Sequence, residues 1–153
     1  MLVKDVMTRN IRTVKKDDTI RDVANIICTN RISGLPVIDE GNHLLGVISE
    51  KDILNALLPS YSEFLHDPIR ARDFEGMEKS YHAVLNKTVG ALMTSRVFSA
   101  SPEDPIMKAA TQMALHKIRR IPVVEKGDIL AGIISLGDIH KAIFQKELGI
   151  ADS

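Results

Sequence analysis

Two short motifs hold the residue types that could do chemistry. Gly46-Val-Ile-Ser49-Glu-Lys-Asp52 and Gly132-Ile-Ile-Ser135-Leu-Gly-Asp138 share one spacing. An ionised carboxylate accepts hydrogen bonds and donates none, so Asp52 and Asp138 each suit a pair of hydroxyl donors such as a vicinal diol. A carboxylate repels phosphate and should face a neutral part of any ligand. Ser49 and Ser135 stand where an apolar strand pattern gives way to a helix pattern. There a hydroxyl, free backbone N–H groups and the helix dipole favour anions. Ser-x-x-Asp is also the spacing of a capping box, and capping is compatible with binding.

Other polar side chains point to less. Arg119-Arg120 alone reads as a solvated pair. His43, His66, His82, His116 and His140 are scattered, without the spacing of a metal site. Cys28 lies on an apolar helical stripe and is expected as a buried small hydrophobe. As the one cysteine it excludes an internal disulfide framework and a multi-cysteine zinc site. Met107 and Met113 are expected in the core. No Gly-x-Gly-x-x-Gly, Walker, Gly-x-Ser-x-Gly or His-Glu-x-x-His motif occurs.

The elements that must position Ser49, Asp52, Ser135 and Asp138 come in two copies. Val6–Leu54 aligns with Leu92–His140 without a gap at an offset of 86, with 15 identities in 49 positions. Met7-Thr8 recurs as Met93-Thr94, and Pro36-Val37 as Pro122-Val123. Two copies are too few for a solenoid and suggest a pseudo-twofold pair. In each copy a capped helical stripe comes first: Ile20, Val23, Ala24 and Ile27, then Ile106, Ala109, Ala110 and Met113. Thr19 and Asp22 form a capping box before the first stripe, and Pro105 opens the second. Two β-branched strands follow around a turn, Leu35–Asp39 with Leu44–Ile48 and Ile121–Glu125 with Ile129–Ile134. Short extended pieces near Arg12–Val14 and Phe98–Ala100 open the units, and helices begin at Ser49 and Ser135. The expected fold is α/β (α+β): two β-α-β-β-α repeats related by a pseudo-twofold axis, with small mixed sheets packed with helices. The repeats span 1–58 and 87–147, a connecting segment 59–86, and a tail 148–153. The connector holds four of the six aromatics and is expected to form one or two short helices lying on the body.

Composition bounds the partners. The chain has 153 residues, 44% apolar and 26% charged, with 20 basic and 20 acidic side chains. Zero net charge and an absence of Trp argue against a nucleic-acid surface. No apolar run approaches the ~20 residues of a membrane span. The N-terminus has no signal-type apolar core, so a soluble cytoplasmic protein with no membrane partner is expected.

The duplicated order, the two Gly-apolar-apolar-Ser-x-x-Asp motifs, Arg31–Val37 with Lys117–Val123, and the opening Asp5-Val-Met-Thr8 together resemble the tandem CBS domain pair, or Bateman module. The resemblance covers nearly the whole chain apart from connector and tail. It implies a regulatory, non-catalytic module binding AMP, ADP or ATP between its repeats, with S-adenosylmethionine as a further candidate ligand. No obligatory cofactor is implied. By motif position, Ser135 and Asp138 work with Thr13 and Val37, and Ser49 and Asp52 with Ser99 and Val123. The valine backbones would read an adenine edge. Arg120, with its neighbour Arg119, matches a position where a basic residue meets phosphate in the Asp52 site; its counterpart in the first repeat is Gly34. The resemblance also implies a homodimer through Ile53, Leu54, Leu57, Ile139, Ala142 and Ile143, and a separate regulated protein. A ligand-free dimerisation scaffold, or an enzyme acting on a nucleotide, are the rival readings.

Overall fold

A computed structural model describes residues 1–59 and 61–150. In chain order the elements are α1 (Val3–Val6), α2 (Ile20–Asn30), β1 (Gly34–Ile38), β2 (Leu44–Ser49), α3 (Glu50–Asn55), α4 (Tyr61–His66), α5 (Pro68–Ala71), α6 (Phe74–Val84), α7 (Val89–Leu92), α8 (Ile106–Leu115), β3 (Arg120–Glu125), β4 (Ile129–Ser135) and α9 (Leu136–Leu148). β1 pairs with β2, and β3 pairs antiparallel with β4, Arg120 opposite Ser135 and Val123 opposite Gly132. Helices and small sheets thus alternate as the duplication requires. Of the expected tail, Leu148 closes α9 and Gly149 caps it at φ 64°, while residues 151–153 lie outside the described residues.

The chain forms two compact units, and each takes its opening segment from the far copy. One unit holds Arg12–Asp39 and Leu45–Ser95. The other holds Met1–Ile11, Glu40–Leu44 and the chain from Arg96 onward. In the first unit Val89 N–H donates to the Asp18 carbonyl, and Thr94 exchanges hydrogen bonds with Val47 at 2.9 and 3.0 Å. In the second, Val3 N–H donates to the Asp104 carbonyl, and Thr8 exchanges bonds with Ile133 at 2.8 and 2.9 Å. Every residue in the second set is 86 positions from its counterpart in the first.

Local chemistry explains why both copies fold alike. Thr19 N–H donates to Asp22 at 3.0 Å and Asp22 N–H donates to the Thr19 hydroxyl, closing the box that starts α2. Arg31 and Lys117, 86 apart, both take left-handed conformation near φ 52° and 54° just after α2 and α8. Asn42 and Asp128 do the same in the two hairpin turns, residue types that tolerate φ > 0 better than β-branched ones. The expected opening strands reduce to single parallel bridges, Val14 with Val37 and Ala100 with Val123. The sheets are therefore mixed by one bridge each.

The core of the first unit centres on Ile20, Val23, Leu35, Val37, Ile48 and Val89, and that of the second on Val3, Ile106, Met113, Ile121, Val123 and Ile134. Three expectations fail. Cys28 is exposed, because Ile26 and Ile27 are the last α2 residues packed against the core and Cys28 lies just beyond them. Met107 is 56% exposed, being turned about 100° from Ile106 and off the stripe. The connector forms three helices among its described residues, and two of its aromatics stand largely exposed, Tyr61 at 80% and Phe74 at 70%. Tyr61 and Phe74 are each the first residue of their helix, α4 and α6. No helix of the described residues is long and apolar enough to cross a membrane.

Candidate functional site

Each Ser-x-x-Asp motif sits at a strand-to-helix junction. β2 ends at Ser49 and β4 at Ser135, with both serines extended at φ -127° and -117° as N-caps of α3 and α9. The Asp52 and Asp138 N–H groups donate to the Ser49 and Ser135 hydroxyls at 3.3 and 3.0 Å. The serine N–H groups donate back to Oδ2 of Asp52 at 2.9 Å and of Asp138 at 3.3 Å. The capping reading of these motifs therefore holds. The first helical N–H of each is also occupied, Glu50 donating to the Ser33 carbonyl and Leu136 to the Arg119 carbonyl at 2.9 Å. Two of the first three N–H donors thus serve the protein, which leaves little of either helix start for an anion.

Both aspartates are half-buried. Asp52 carries further bonds. The Ser49 hydroxyl donates to its Oδ2 and the Thr94 hydroxyl to its Oδ1, each at 3.0 Å. Thr94 is absent from the sequence-derived set, although the recurrence of Met-Thr at 7–8 and 93–94 marks it. It is held in place by Gly46, where a Cβ would lie 2.4 Å from the Thr94 carbonyl oxygen. Gly132 stands in the same relation to Thr8. Crowding in the strand is thus the reason for both glycines, and a threonine backbone is what crowds it.

The remaining candidates fall as follows. Thr13 and Val37 lie in the unit of Ser49 and Asp52, beside the Val14 bridge. Ser99, Arg119, Arg120 and Val123 lie in the unit of Ser135 and Asp138. Thr13 and Ser99 are half-buried; the two arginines are exposed. Val37 and Val123 are fully buried. Val123 lies between the Ala100 bridge, which uses the Pro122 carbonyl and the Val124 N–H, and its register partner Gly132. Its own N–H and C=O therefore turn toward β4. Gly34, opposite Arg120 in the repeat, lets the Ile48 carbonyl and Ser49 approach closely; an added Cβ would sit 3.2 Å from that oxygen.

A concavity of about 390 Å³ is bordered by Asp138, Asp5, Lys141 and Gln145 with apolar Val6 and Ala142. A groove of about 510 Å³ among α4, α5 and α6 is lined by Glu63, His66, Asp67, Arg70 and Met77 and contains no candidate residue. Among the described residues no three His, Cys, Asp or Glu side chains converge as a metal site would need.

The family model of the CBS domain matches residues 3–59 and 89–145. The chain belongs to the CBS-domain family. As a CBS pair it is 34% identical over 154 residues to an uncharacterized protein of Methanocaldococcus jannaschii, covering 94% of this chain and 91% of that one. It is 26% identical over 142 residues to a homoserine O-acetyltransferase of Methanococcus vannielii, covering 93% of this chain but only 25% of that protein. Among solved structures the CBS pair resembles CBSX2 in complex with AMP, with TM-score 0.73, 28% identity, and 95% and 98% of the two chains covered; CBSX2 comes from Arabidopsis thaliana. It also resembles the CBS domain pair of protein MJ0100 in complex with 5′-methylthioadenosine and S-adenosyl-L-methionine, with TM-score 0.69, 25% identity, and 95% and 98% covered.

Proposed function

We propose that this CBS pair is a regulatory, non-catalytic module that binds adenosine-containing ligands and passes the bound state to a separate protein. AMP, ADP and ATP are the foremost candidates, with S-adenosylmethionine as a further one and no obligatory cofactor. The observation that carries the reading is the pair of half-buried carboxylates, Asp52 and Asp138, each fixed by a capping box beside a buried apolar strand. A fixed carboxylate holds a ribose diol at little entropic cost, and the neutral sugar avoids the repulsion a phosphate would meet. The AMP bound by CBSX2 and the two sulfur-bearing adenosine compounds bound by the MJ0100 pair support this class of ligand.

One ligand is assigned to Ser135 and Asp138 with Thr13 and Val37, the other to Ser49 and Asp52 with Ser99 and Val123. Arg119 and Arg120 are assigned to phosphate. The functional repeats are 1–58 and 87–147 with 59–86 between them, and the setting is the cytoplasm. Signalling requires that the ligand bind two conformations with different affinity. A homodimer is part of the proposal. Ile53 and Ile139 are taken by the internal cores, but Leu54 at 43% and Phe144 at 60% exposure leave apolar surface on α3 and α9.

A thermal-shift panel over AMP, ADP, ATP, S-adenosylmethionine and GTP tests the reading. At about 100 times the dissociation constant a ligand adds about 2.7 kcal/mol. In a chain of this size that raises the melting point by about 5 °C or more. No shift with any adenosine compound refutes it and leaves the scaffold.

A further inference from the structure

We infer that Thr94 makes the two aspartates unequal, so that Asp138 is the stronger ribose-diol partner and the threonine hydroxyl competes with a diol for Asp52. The inference rests on the adenosine reading above and specifies which carboxylate serves it. A carboxylate offers about four lone-pair positions. At Asp52 three are occupied, by the Ser49 N–H, the Ser49 hydroxyl and the Thr94 hydroxyl, at 2.9, 3.0 and 3.0 Å. One position remains on Oδ1, and a vicinal diol has two hydroxyls to place. At Asp138 the Ser135 N–H occupies one position on Oδ2, at 3.3 Å, so the diol's two hydroxyls find room.

The difference is built into the backbone. The Thr94 backbone is pinned beside Asp52, because its N–H and carbonyl both pair with Val47 and its carbonyl closes on Gly46, so the hydroxyl stays within reach of Oδ1. Thr8 is pinned by Ile133 and Gly132 in the same way, yet among the described residues its hydroxyl makes no bond to Asp138.

The test is the preference for AMP over 2′-deoxy-AMP, read by calorimetric titration of the full chain. Removing one hydroxyl should cost roughly 10- to 150-fold in affinity where the diol is held by a charged acceptor. The parent chain should show that preference, and Thr8→Val should keep it. Asp138→Asn should reduce the ratio to near one, since asparagine retains a capping side chain but loses the anion. Adding Thr94→Val to Asp138→Asn frees Oδ1 of Asp52, and the preference should return; adding Asp52→Asn to that pair should abolish it again. Asp138→Asn with the full preference intact would overturn the inference, because the diol would then be held elsewhere. So would Asp138→Asn/Thr94→Val failing to recover it while circular dichroism and melting show a folded chain. No binding of AMP to the parent is a different failure: it removes the adenosine reading itself and this inference with it.

Discussion

Gly46→Ala puts the docking of the Met-Thr segment under direct test. The new Cβ would lie 2.4 Å from the Thr94 carbonyl oxygen, against 3.4 Å for ordinary contact. The neighbour is backbone, so rotating a side chain cannot relieve it. A retreat of about 1 Å stretches the two Val47–Thr94 bonds, now 2.9 and 3.0 Å, to near 4 Å, where neither counts as a hydrogen bond. Two lost bonds at about 1 kcal/mol each give about 2 kcal/mol, the same order as overpacking penalties. With a urea m-value of about 2 kcal/mol/M, the unfolding midpoint should fall by about 1 M. Gly132→Ala should behave alike against the Thr8 carbonyl. Gly137→Ala is the contrast: its Cβ meets nothing closer than the Ser135 hydroxyl oxygen at 3.8 Å, and alanine is the better helix former, so stability should hold or rise. A Gly46→Ala midpoint within 0.2 M of the parent, on a scale where about 0.5 kcal/mol separates a neutral change from a real one, would refute the close docking of Thr94.

Ser135→Ala removes the acceptor for the Asp138 N–H and should cost about 0.5–2 kcal/mol in urea unfolding; an unchanged midpoint would show that the cap at α9 contributes nothing. The Lys108 ammonium, bonded at 2.9 Å, and then the Ser101 N–H hold the Asp104 carboxyl below the usual carboxylate range. Its stabilisation is therefore complete above the unfolded value near ~3.9 and is lost as pH falls through the lower folded value, so Asp104→Asn should flatten the acid limb of stability against pH. A parent and variant with parallel acid limbs would contradict that linkage. Light scattering at micromolar concentration should give twice 16.9 kDa; a monomer mass would remove the dimer assigned to α3 and α9.

What is local in the chain is legible in it. The helix starts at Ser49 and Ser135 follow from a serine and an aspartate three residues apart, and the hairpins from short β-branched runs around Gly41 and Gly127. The duplication makes each inference twice. The Asp52–Thr94 bond spans 42 residues and depends on which copy the Met-Thr segment docks against, so no spacing rule reaches it. Cys28 shows a second limit: periodicity identifies a face of α2, but not how far along the helix the core extends. In the connector, aromatic content reads as a packed surface, but content alone does not say which way a ring turns: Tyr61 and Phe74, each at the first position of its helix, stand exposed.

The most direct measurement is a calorimetric titration of the full chain with AMP and, separately, 2′,3′-dideoxy-AMP. A regulatory CBS pair that holds a ribose diol through a fixed carboxylate predicts saturable heat with AMP and much weaker binding of the dideoxy analogue. No heat with AMP, or equal affinity for the two, would contradict it.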